Sequence, residues 1–373
     1  MVPVTRDCEV IVVGAGPAGI VTAIAARRRG LHVIVLDSRT PPIDKPCGEG
    51  ILPQGVAALE SLGISLPPDQ CFSFRGIRFM DEEHSARADF AHAPGLSMRR
   101  LKLHQLLVDQ AIEAGVEFRW GTRVTRIDRD SVTTALETFS YRWLVGADGQ
   151  NSQVRKYAGL DRGIVRRKRF GFCSHFQVPP WSDVAEVHWT RGCQIFITPL
   201  AGQEVGVAVL SRDSGLRVEE ALRQFPFLSK KLRGAKPTTR ESGEATSLRI
   251  LPAVTHGRVA LVGDASGTVD AVTGHGLSIS FQQAISLAEG MKRGDLAYYQ
   301  SAHKNIRTVA VTMTRLMLLM DANDWIRRRT IHMFEKTPRL FSKMLAIHTQ
   351  QKPLSSLGMA ELADFGWKFL RTW

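Results

Sequence analysis

The hydrophobic pattern at the start of the chain predicts a buried strand, a turn, a helix and a second buried strand. The apolar run Val10 to Val13 leads into a glycine-containing turn and an alanine-rich helical segment. A second apolar run, Val33 to Leu36, ends in Asp37. Short continuous apolar runs joined by a helix are typical of parallel strands covered on both faces. The pattern therefore indicates a βαβ unit.

The turn after the first run carries three glycines in the spacing G-x-G-x-x-G, namely Gly14, Gly16 and Gly19. Such glycines allow a tight turn, close approach of the backbone to a pyrophosphate, and close packing of helix on strand. The helix N-terminus adds free N–H groups and a positive dipole end. Asp37 stands where a carboxylate binds ribose hydroxyls. We predict a dinucleotide site, with a ligand-free glycine turn as the alternative for the spacing taken alone.

Two later apolar runs, in YRWLVGADGQ and GRVALVGDASG, also end in an acidic residue beside a glycine. The residues at these two ends are Asp148, Gly149, Gly263 and Asp264. After the second run, a loop of small residues leads into a helix predicted from Leu277 onward. A buried carboxylate is tolerated only when it is hydrogen-bonded or paired. We therefore expect a ligand, rather than side chains, to fill the space beside Asp264.

Between these units the chain alternates apolar and polar residues, with many β-branched and aromatic residues, as in CQIFITPL. This pattern predicts a mixed or antiparallel sheet that covers the ligand. Candidates for the pocket face of this sheet are His175, His188, Gln194, Phe196 and Thr198. From about residue 296 the pattern becomes helical, with aromatic residues and Lys or Arg at helical spacing. Helices packed on the first domain are favoured over a basic amphipathic surface for lipid or an acidic partner.

Composition limits the class of protein. The 373 residues are 44% hydrophobic, which allows a large core and favours two lobes. The formal net charge of +13 favours an anionic partner, which could be a membrane surface, an acidic carrier protein, nucleic acid or a carboxylate substrate. Charge alone does not choose among them, and we predict no nucleic-acid partner.

Neither a targeting segment nor a metal motif is evident in the sequence. The N-terminus has no long apolar region before its first acidic residues, so we predict no signal peptide and no membrane span. Five widely spaced cysteines without a C-x-x-C pair, and no H-E-x-x-H spacing, predict no disulfide framework and no metal site. A cytoplasmic protein, with peripheral contact at a membrane as an option, fits best.

Together the motifs resemble those of the flavoprotein hydroxylase superfamily, the FAD monooxygenases similar to para-hydroxybenzoate hydroxylase, which are close to the geranylgeranyl reductase branch. GAGPAG contains Pro17 and Ala18, a pair common in such FAD proteins. YRWLVGADGQNSQVRKYAGL is similar to the DG fingerprint of the family, with Ser152 and Arg155 at matching positions. GRVALVGDASG is similar to its GD fingerprint, in which the aspartate hydrogen-bonds the ribityl chain of the flavin.

The resemblance implies an α/β fold: a Rossmann-like FAD-binding domain, an inserted mixed or antiparallel β-sheet substrate domain and a helical C-terminal region. The implied FAD-binding domain is discontinuous and comprises residues 1–71, 95–165 and 255–295. Residues 72–94 and 166–254 would form the substrate domain, and residues 296–373 the C-terminal helices. No second G-x-G-x-x-G occurs in the sequence, which predicts a single dinucleotide site. The resemblance implies that NAD(P)H binds only transiently, as a co-substrate.

By the same resemblance, a set of residues is expected at the FAD. The arginine of an R-x-x-L-D/H-x-x-L segment reaches the cofactor, with Arg100 in that register and Arg99 as the fallback. Backbone at Gly274 and Gly276 would lie against the ring system, and the following helix N-terminus would favour the reduced, anionic flavin. The full set is Gly14, Gly16, Pro17, Ala18, Gly19, Asp37, Arg39, Gly48, Arg100, Val124, Asp148, Gly149, Gly263, Asp264, Gly274, Gly276 and Leu277.

Two residues are candidates for chemistry. Cys47 lies in a loop that passes the flavin in the family, and His275 stands where relatives often have glutamate or glutamine; for both residues, packing or hydrogen bonding is the favoured alternative. The resemblance implies a small-molecule substrate that is hydrophobic or aromatic. It implies a monooxygenase that hydroxylates a phenol-like or indole-like ring with NAD(P)H and O2 through a C4a-hydroperoxyflavin. The alternatives are a geranylgeranyl reductase-like reductase of prenyl-lipid double bonds and a flavin-binding partner protein that acts on another protein.

Overall fold

A computed structural model of the protein describes residues 4–165 and 168–356, together with Gly358, Gly366 and Phe369. The predicted last helix, over residues 355–373, lies largely outside the described residues. Strands are numbered here in chain order. They are β1 (Val4–Val13), β2 (Val33–Leu36), β3 (Gly50–Ile51), β4 (Phe72–Phe74), β5 (Gly76–Met80), β6 (Ser85–Asp89), β7 (Gly95–Ser97), β8 (Glu117–Arg119), β9 (Arg126–Ile127), β10 (Ser131–Thr133), β11 (Glu137–Gly146), β12 (Ile164–Val165), β13 (Arg169–Gln177), β14 (Ala185–Thr190), β15 (Cys193–Leu200), β16 (Glu204–Ser211), β17 (Lys236–Pro237), β18 (Ser242–Thr246), β19 (Arg249–Ile250), β20 (Thr255–His256) and β21 (Val259–Leu261).

The α-helices are numbered in the same way. They are α1 (Pro17–Arg27), α2 (Pro53–Ser61), α3 (Arg100–Glu113), α4 (Gln153–Tyr157), α5 (Val218–Leu222), α6 (Pro226–Lys231), α7 (Gly276–Arg293), α8 (Leu296–Ala322), α9 (Asp324–Lys336) and α10 (Pro338–His348). Short 3-10 turns at Gly263–Ser266 and Ala271–Thr273 lie between β21 and α7.

The first sheet has the strand order β20-β21-β11-β1-β2-β8. Its four inner pairings, from β21 to β8, are parallel. The predicted βαβ unit corresponds to β1, α1 and β2. Val10, Ile11 and Val12 are fully buried because helices cover the sheet, with α1 packed on α3 and α7. The Rossmann-like part of the predicted fold is confirmed.

The second sheet has the order β17-β13-β16-β15-β14-β5-β6, with β18 beside β13. It is mixed, because β14 pairs in parallel with β5 while the other pairings are antiparallel. Alternation along β15 separates its faces. Ile195 and Ile197 pack in a core with residues of α5 and α6, whereas Phe196 and Thr198 point to a cavity.

The C-terminal helices pack differently from the sequence prediction, which placed them on the first domain. Helix α8 begins against α7 of that domain, but α9 and α10 pack on β6, at the edge of the second sheet. Apolar residues of these helices, such as Phe334 and Phe341, share a buried core with Ala86 and Ala88 of β6. The packing of apolar side chains of α9 and α10 against β6 therefore determines the position of these two helices. Within the described residues, no helix has the length and apolar character needed to cross a bilayer.

Candidate active site

A cavity of about 1610 Å³ opens between the carboxyl edge of the first sheet and one face of the second. Strands β1, β2, β11 and β21 all end at this edge, which is where open α/β sheets bind ligands. We call the part lined by the ends of these strands the nucleotide cradle. We call the part lined by Phe74, Phe79, Phe196, Met313, Met317, Met320, Phe334 and Phe341 the apolar chamber.

Glycines shape the turn between β1 and α1. Gly14 has φ +108°, and a Cβ there would lie 2.4 Å from the carbonyl oxygen of Ala147. A Cβ at Gly19 would lie 1.9 Å from the carbonyl oxygen of Gly14. At Gly16, by contrast, a Cβ would have no described atom within 4 Å. Gly14 and Gly19 are thus required by packing, whereas Gly16 leaves open space beside the helix N-terminus.

Asp37 holds this turn in place. Its Oδ2 accepts a hydrogen bond of 2.7 Å from the Ala15 amide, and its Oδ1 accepts one of 2.9 Å from the Arg39 amide. The guanidinium of Arg39 is 3.6 Å from Asp37 Oδ1 and 58% exposed. Asp37, Arg39 and Val124 all line the cavity. The carboxylate therefore organises backbone at one end of the nucleotide cradle.

Arg100 and Asp148 each present a polar atom in the lining of the cradle. Arg100 is buried at the start of α3, and its Nη1 has no hydrogen-bond partner within the described residues. Burial lowers its pKa from the ordinary value. Asp148 Oδ2 accepts from the Gln153 amide at 2.7 Å, while its buried Oδ1 is unpartnered in the described part of the chain. Arg99, the alternative to Arg100 in the sequence prediction, donates to Glu204 at 2.7 Å and is not among the residues that line this cavity. Of the two arginines, Arg100 lines it.

Asp264 follows β21 directly and faces the cavity. Its side chain is 41% exposed rather than buried, and Oδ2 accepts from Lys45 Nζ at 2.9 Å. Lys45 also contacts Glu244 at 3.1 Å. Burial alone would lower the pKa of Lys45, but the charges of Asp264 and Glu244 outweigh it and raise the pKa. Sequence reasoning missed Lys45, because no local pattern connects it with a carboxylate so distant in the chain.

The start of α7 also faces the cavity. Gly274 adopts the left-handed conformation at φ +65°, and Gly276 begins the helix. Within the described residues no side chain caps this end of α7. Gly274, Gly276 and Leu277 belong to the lining, as does Gly263, whose amide donates to Gln283 Oε1 at 2.8 Å. Free amides at a helix N-terminus favour a negatively charged group.

His275 lies outside the described lining of the cavity, although both of its neighbours belong to it. The imidazole is fully buried, and Nε2 donates to the carbonyl oxygen of His348 at 2.8 Å. The two rings meet edge to face, 4.2 Å apart. Burial lowers the pKa of His275 to about 4, so the ring is neutral at pH 7. In this position it ties α10 to the glycine loop and has no direct access to the cavity.

Cys47 and Gly48 line the cavity beside the second sheet. Cys47 Sγ accepts from the Glu49 amide at 3.3 Å, and burial raises the pKa of the thiol, which keeps it protonated at neutral pH. Glu49 has a left-handed backbone, φ +60°, and its carboxylate contacts the Arg100 amide at 2.8 Å and His175 Nε2 at 2.7 Å. These contacts hold the loop rigidly and favour a positioning role for Glu49.

The five candidates on the second sheet separate by environment. Phe196 and Thr198 line the cavity, and Thr198 Oγ1 donates to the Gly48 carbonyl at 2.9 Å. His175 holds Glu49, as described above. His188 lies 3.0 Å from Glu186, and Gln194 bridges Arg169 and Asp321 in a buried polar cluster. These environments could not be predicted from the sequence. Alternation along a strand shows that residues lie on two opposite faces of the sheet, but it does not show what packs against each face.

Two buried arginines hold together the loops that surround the cavity. Arg155 donates to the carbonyl oxygens of Gln150 and Ala265, at 2.7 and 3.1 Å, and so connects the segment after β11 with that after β21. Arg307 of α8 donates to the carbonyl oxygens of Ser266 and Thr268. The DG fingerprint pointed to Arg155, whereas no local pattern in the sequence points to Arg307.

The profile of the FAD binding domain family matches residues 7–293. The chain is 28% identical over 323 residues to a menaquinone reductase of Mycobacterium tuberculosis, covering 79% of each protein. It is 28% identical over 319 residues to a para-nitrophenol 4-monooxygenase of a Pseudomonas species, covering 76% of this chain and 77% of the relative. A flavoprotein/dehydrogenase from Cytophaga hutchinsonii has the same fold, with a TM-score of 0.80 at 16% identity over 91% of this chain and 92% of that one.

Proposed function

Because the chain belongs to the FAD binding domain family and is an FAD-dependent oxidoreductase, we propose that it is a monooxygenase that hydroxylates an aromatic ring of a large apolar substrate. The observation that carries the proposal is the apolar chamber adjoining the nucleotide cradle. The eight side chains that define the chamber are all aromatic or methionine, and aliphatic side chains such as Val187 and Leu345 also line the cavity. Such walls bind by burial of apolar area, and methionine adapts to irregular shapes.

The nucleotide cradle fits FAD in its donor and acceptor groups. We infer that the open space at Gly16 and the N-terminus of α1 receive the pyrophosphate, because a helix N-terminus attracts phosphate. Arg100 Nη1 and Asp148 Oδ1 are buried and have no hydrogen-bond partner within the described residues. We propose that the first donates to an oxygen of FAD and the second accepts from a hydroxyl. We propose that Asp264, held by Lys45, accepts a hydrogen bond from a hydroxyl of the ribityl chain.

Bound FAD would take up hydride from NAD(P)H and activate O2. The residues of the chain supply the surroundings for that chemistry. The N-terminus of α7 favours negative charge on the nearest part of the cofactor, and the apolar chamber keeps water from the reacting centre. The sequence contains no second G-x-G-x-x-G, so we propose that NAD(P)H visits the site without a nucleotide domain of its own.

A second candidate function is the reduction of a double bond in a prenyl-lipid substrate. Two observations favour it: the similarity to menaquinone reductases over 79% of each chain, and the opening of the chamber along α8. There Leu316 and Leu319 are half-exposed while lining the cavity, and the exposed Arg315 lies beside them. An apolar opening flanked by positive charge suits a long lipid chain taken from an anionic membrane surface.

One experiment separates the two functions. The yellow holoenzyme is supplied with NADPH and either a phenol carrying a long apolar chain or a prenylated quinone, under 18O2 and under anaerobic conditions. Hydroxylation requires oxygen and places one 18O atom in the product, with the other leaving as water. Reduction proceeds without oxygen and adds two hydrogens to the substrate. Products that contain neither 18O nor a reduced double bond would contradict both functions.

A further inference from the structure

Two histidines and a glutamate meet outside the cavity, where the β5–β6 hairpin contacts α9. His84 lies in the turn between β5 and β6, and His332 and Glu335 lie one turn apart on α9. The ligand atoms of the three side chains lie within 4.8 Å of one another. The rings of His84 and His332 stack with centroids 4.2 Å apart and planes at 12°. His84 Nδ1 is 3.1 Å from Glu335 Oε2.

We propose that His84, His332 and Glu335 bind a divalent transition-metal ion, with Zn²⁺ as the best match. Zinc accepts imidazole nitrogen and carboxylate oxygen, and two histidines with one glutamate leave its fourth position to water. The i, i+3 spacing on α9 puts His332 and Glu335 on one helix face, and the hairpin brings His84 to that face. Because the two imidazole rings are stacked and nearly parallel, their in-plane nitrogen lone pairs converge on one ion only after at least one ring rotates out of the stack. That rotation must also bring the three ligand atoms to the distances of about 2 Å that zinc needs.

The surroundings of the cluster support such a site. Glu335 Oε1 accepts from the Ser85 amide at 3.2 Å, which orients the carboxylate toward His84. Asp81 Oδ1 accepts from the His84 amide at 2.8 Å, and its buried Oδ2 has no hydrogen-bond partner in the described part of the chain. Histidine ligands of metals commonly donate their second N–H to a carboxylate. Asp81 offers a free acceptor of this kind beside the hairpin.

The site would join two walls of the apolar chamber. Phe79 precedes the hairpin turn on β5, and Phe334 lies between the two α9 ligands. Both line the chamber, and both contact the ring of Phe341, with centroids 5.2 and 4.6 Å apart. A bound ion would hold the hairpin against α9 and so limit how far these rings separate. Its role would be to stabilise the chamber, away from the reacting centre.

The proposal departs from the sequence prediction of no metal site. His84 and Glu335 are 251 residues apart, so no local spacing announces the cluster. Metal motifs in sequence depend on ligands that share one helix or one turn, and here the third ligand comes from another domain.

The test titrates the purified, chelator-treated holoenzyme with ZnCl2 by calorimetry, with MgCl2 as the comparison. We expect one Zn²⁺ per chain, a higher thermal midpoint with zinc, and no comparable response to magnesium. His332→Ala should weaken zinc binding by about tenfold or more and abolish the shift of the midpoint. Glu335→Gln removes one exposed ligand with little risk to folding, and serves if His332→Ala does not fold.

His92→Ala is the matched control, because it removes an exposed histidine outside the cluster. We expect it to bind zinc like the wild type. The proposal is overturned if the wild type shows no saturable zinc binding, or if Glu335→Gln and His92→Ala bind zinc with equal affinity. Anomalous scattering at the zinc edge from crystals grown with the metal gives an independent readout, and an ion at any other place would also overturn it.

Discussion

The nucleotide cradle and the apolar chamber belong to one cavity but are built in opposite ways. The cradle consists of strand ends, helix N-termini and glycines. At Gly14 and Gly19 the backbone is packed so closely that a Cβ atom would clash with a carbonyl oxygen. The chamber consists of side chains from β4, from the second sheet and from α8, α9 and α10, and three of the eight are flexible methionines. A backbone cradle accepts one ligand geometry, whereas an adaptable apolar wall accepts many shapes. Changes in the cradle should therefore break the protein, and changes in the chamber should tune it.

The largest effect is expected from Gly19→Ala. The added Cβ would lie 1.9 Å from the Gly14 carbonyl oxygen, and backbone cannot yield as a side chain does. We expect the free energy of unfolding to fall by about 3 kcal/mol and FAD to be lost. Urea unfolding of the apoprotein and visible flavin absorbance measure both. Gly16→Ala is the control, since its Cβ meets open space: the apoprotein should unfold normally while FAD retention falls. Equal unfolding curves for Gly19→Ala and wild type would refute the packing argument.

Arg100→Ala should weaken FAD binding while the fold survives. It removes a buried cation whose Nη1 is free to donate, and a charge-assisted hydrogen bond is worth about 1.5–3 kcal/mol. We expect the Kd for FAD to rise by roughly 10- to 100-fold in fluorescence titrations. Arg39→Ala removes an exposed cation of the same cradle and should change the Kd by less than about fivefold. If the two variants lost affinity for FAD to a similar extent, the argument that buried Arg100 binds FAD more strongly than exposed Arg39 would be wrong.

The buried histidines at the junction of cradle and chamber should make stability depend on pH. The pKa of His275 is about 4 in the folded protein, below the ordinary 6.5, so the unfolded chain takes up a proton first as the pH falls. The stabilisation that results from keeping His275 neutral is fully present above pH 6.5. As the pH falls from 6.5 to about 4, the free energy of unfolding decreases by up to about 1.4 kcal/mol per pH unit. Urea unfolding of the apoprotein at pH 7.5 and pH 5 measures the loss.

His275→Gln should reduce that pH dependence without abolishing it, because glutamine does not titrate, whereas the buried His303 and His348, whose pKa values burial also lowers, remain. The exposed His92 supplies the control, and His92→Gln should leave the wild-type slope unchanged. The same holoenzyme variant tests chemistry: if His275→Gln abolished turnover while retaining FAD and stability at pH 7.5, a direct catalytic role would have to be restored to this histidine.

The smallest effect is expected at the opening of the apolar chamber. Leu316→Glu places a charge where an apolar substrate would pass, on a side chain already half-exposed, so folding and FAD retention should not change. We expect KM for an apolar substrate to rise by about three- to tenfold, equivalent to roughly 1 kcal/mol of lost apolar contact. Leu136→Glu, a highly exposed leucine outside the described cavity lining, is the control. An unchanged KM in Leu316→Glu would argue against substrate access along α8.

Much of the nucleotide cradle could be predicted from sequence. The glycines of the first turn, Asp37, Asp148 and the segment at Asp264 each follow an apolar strand, and all but the tightly packed Gly19 line the cavity. Sequence reasoning did not find Lys45 as the partner of Asp264, and it expected the C-terminal helices on the first domain, whereas α9 and α10 pack on β6 of the second sheet. It also offered no means of separating His275, which is buried outside the described cavity lining, from the glycines on either side of it.

The sequence by itself determined the strands, the glycine turns and the class of cofactor, because each depends on residues within one turn or strand of one another. Tertiary structure alone decided which side chains meet across the chain: Lys45 with Asp264, Phe79 with Phe341, and His84 with α9. Local backbone preferences act over a few residues, whereas these contacts depend on how apolar faces of separate elements pack together. The pattern along the chain shows which face of each helix or strand is apolar, but it does not show which other element packs against that face.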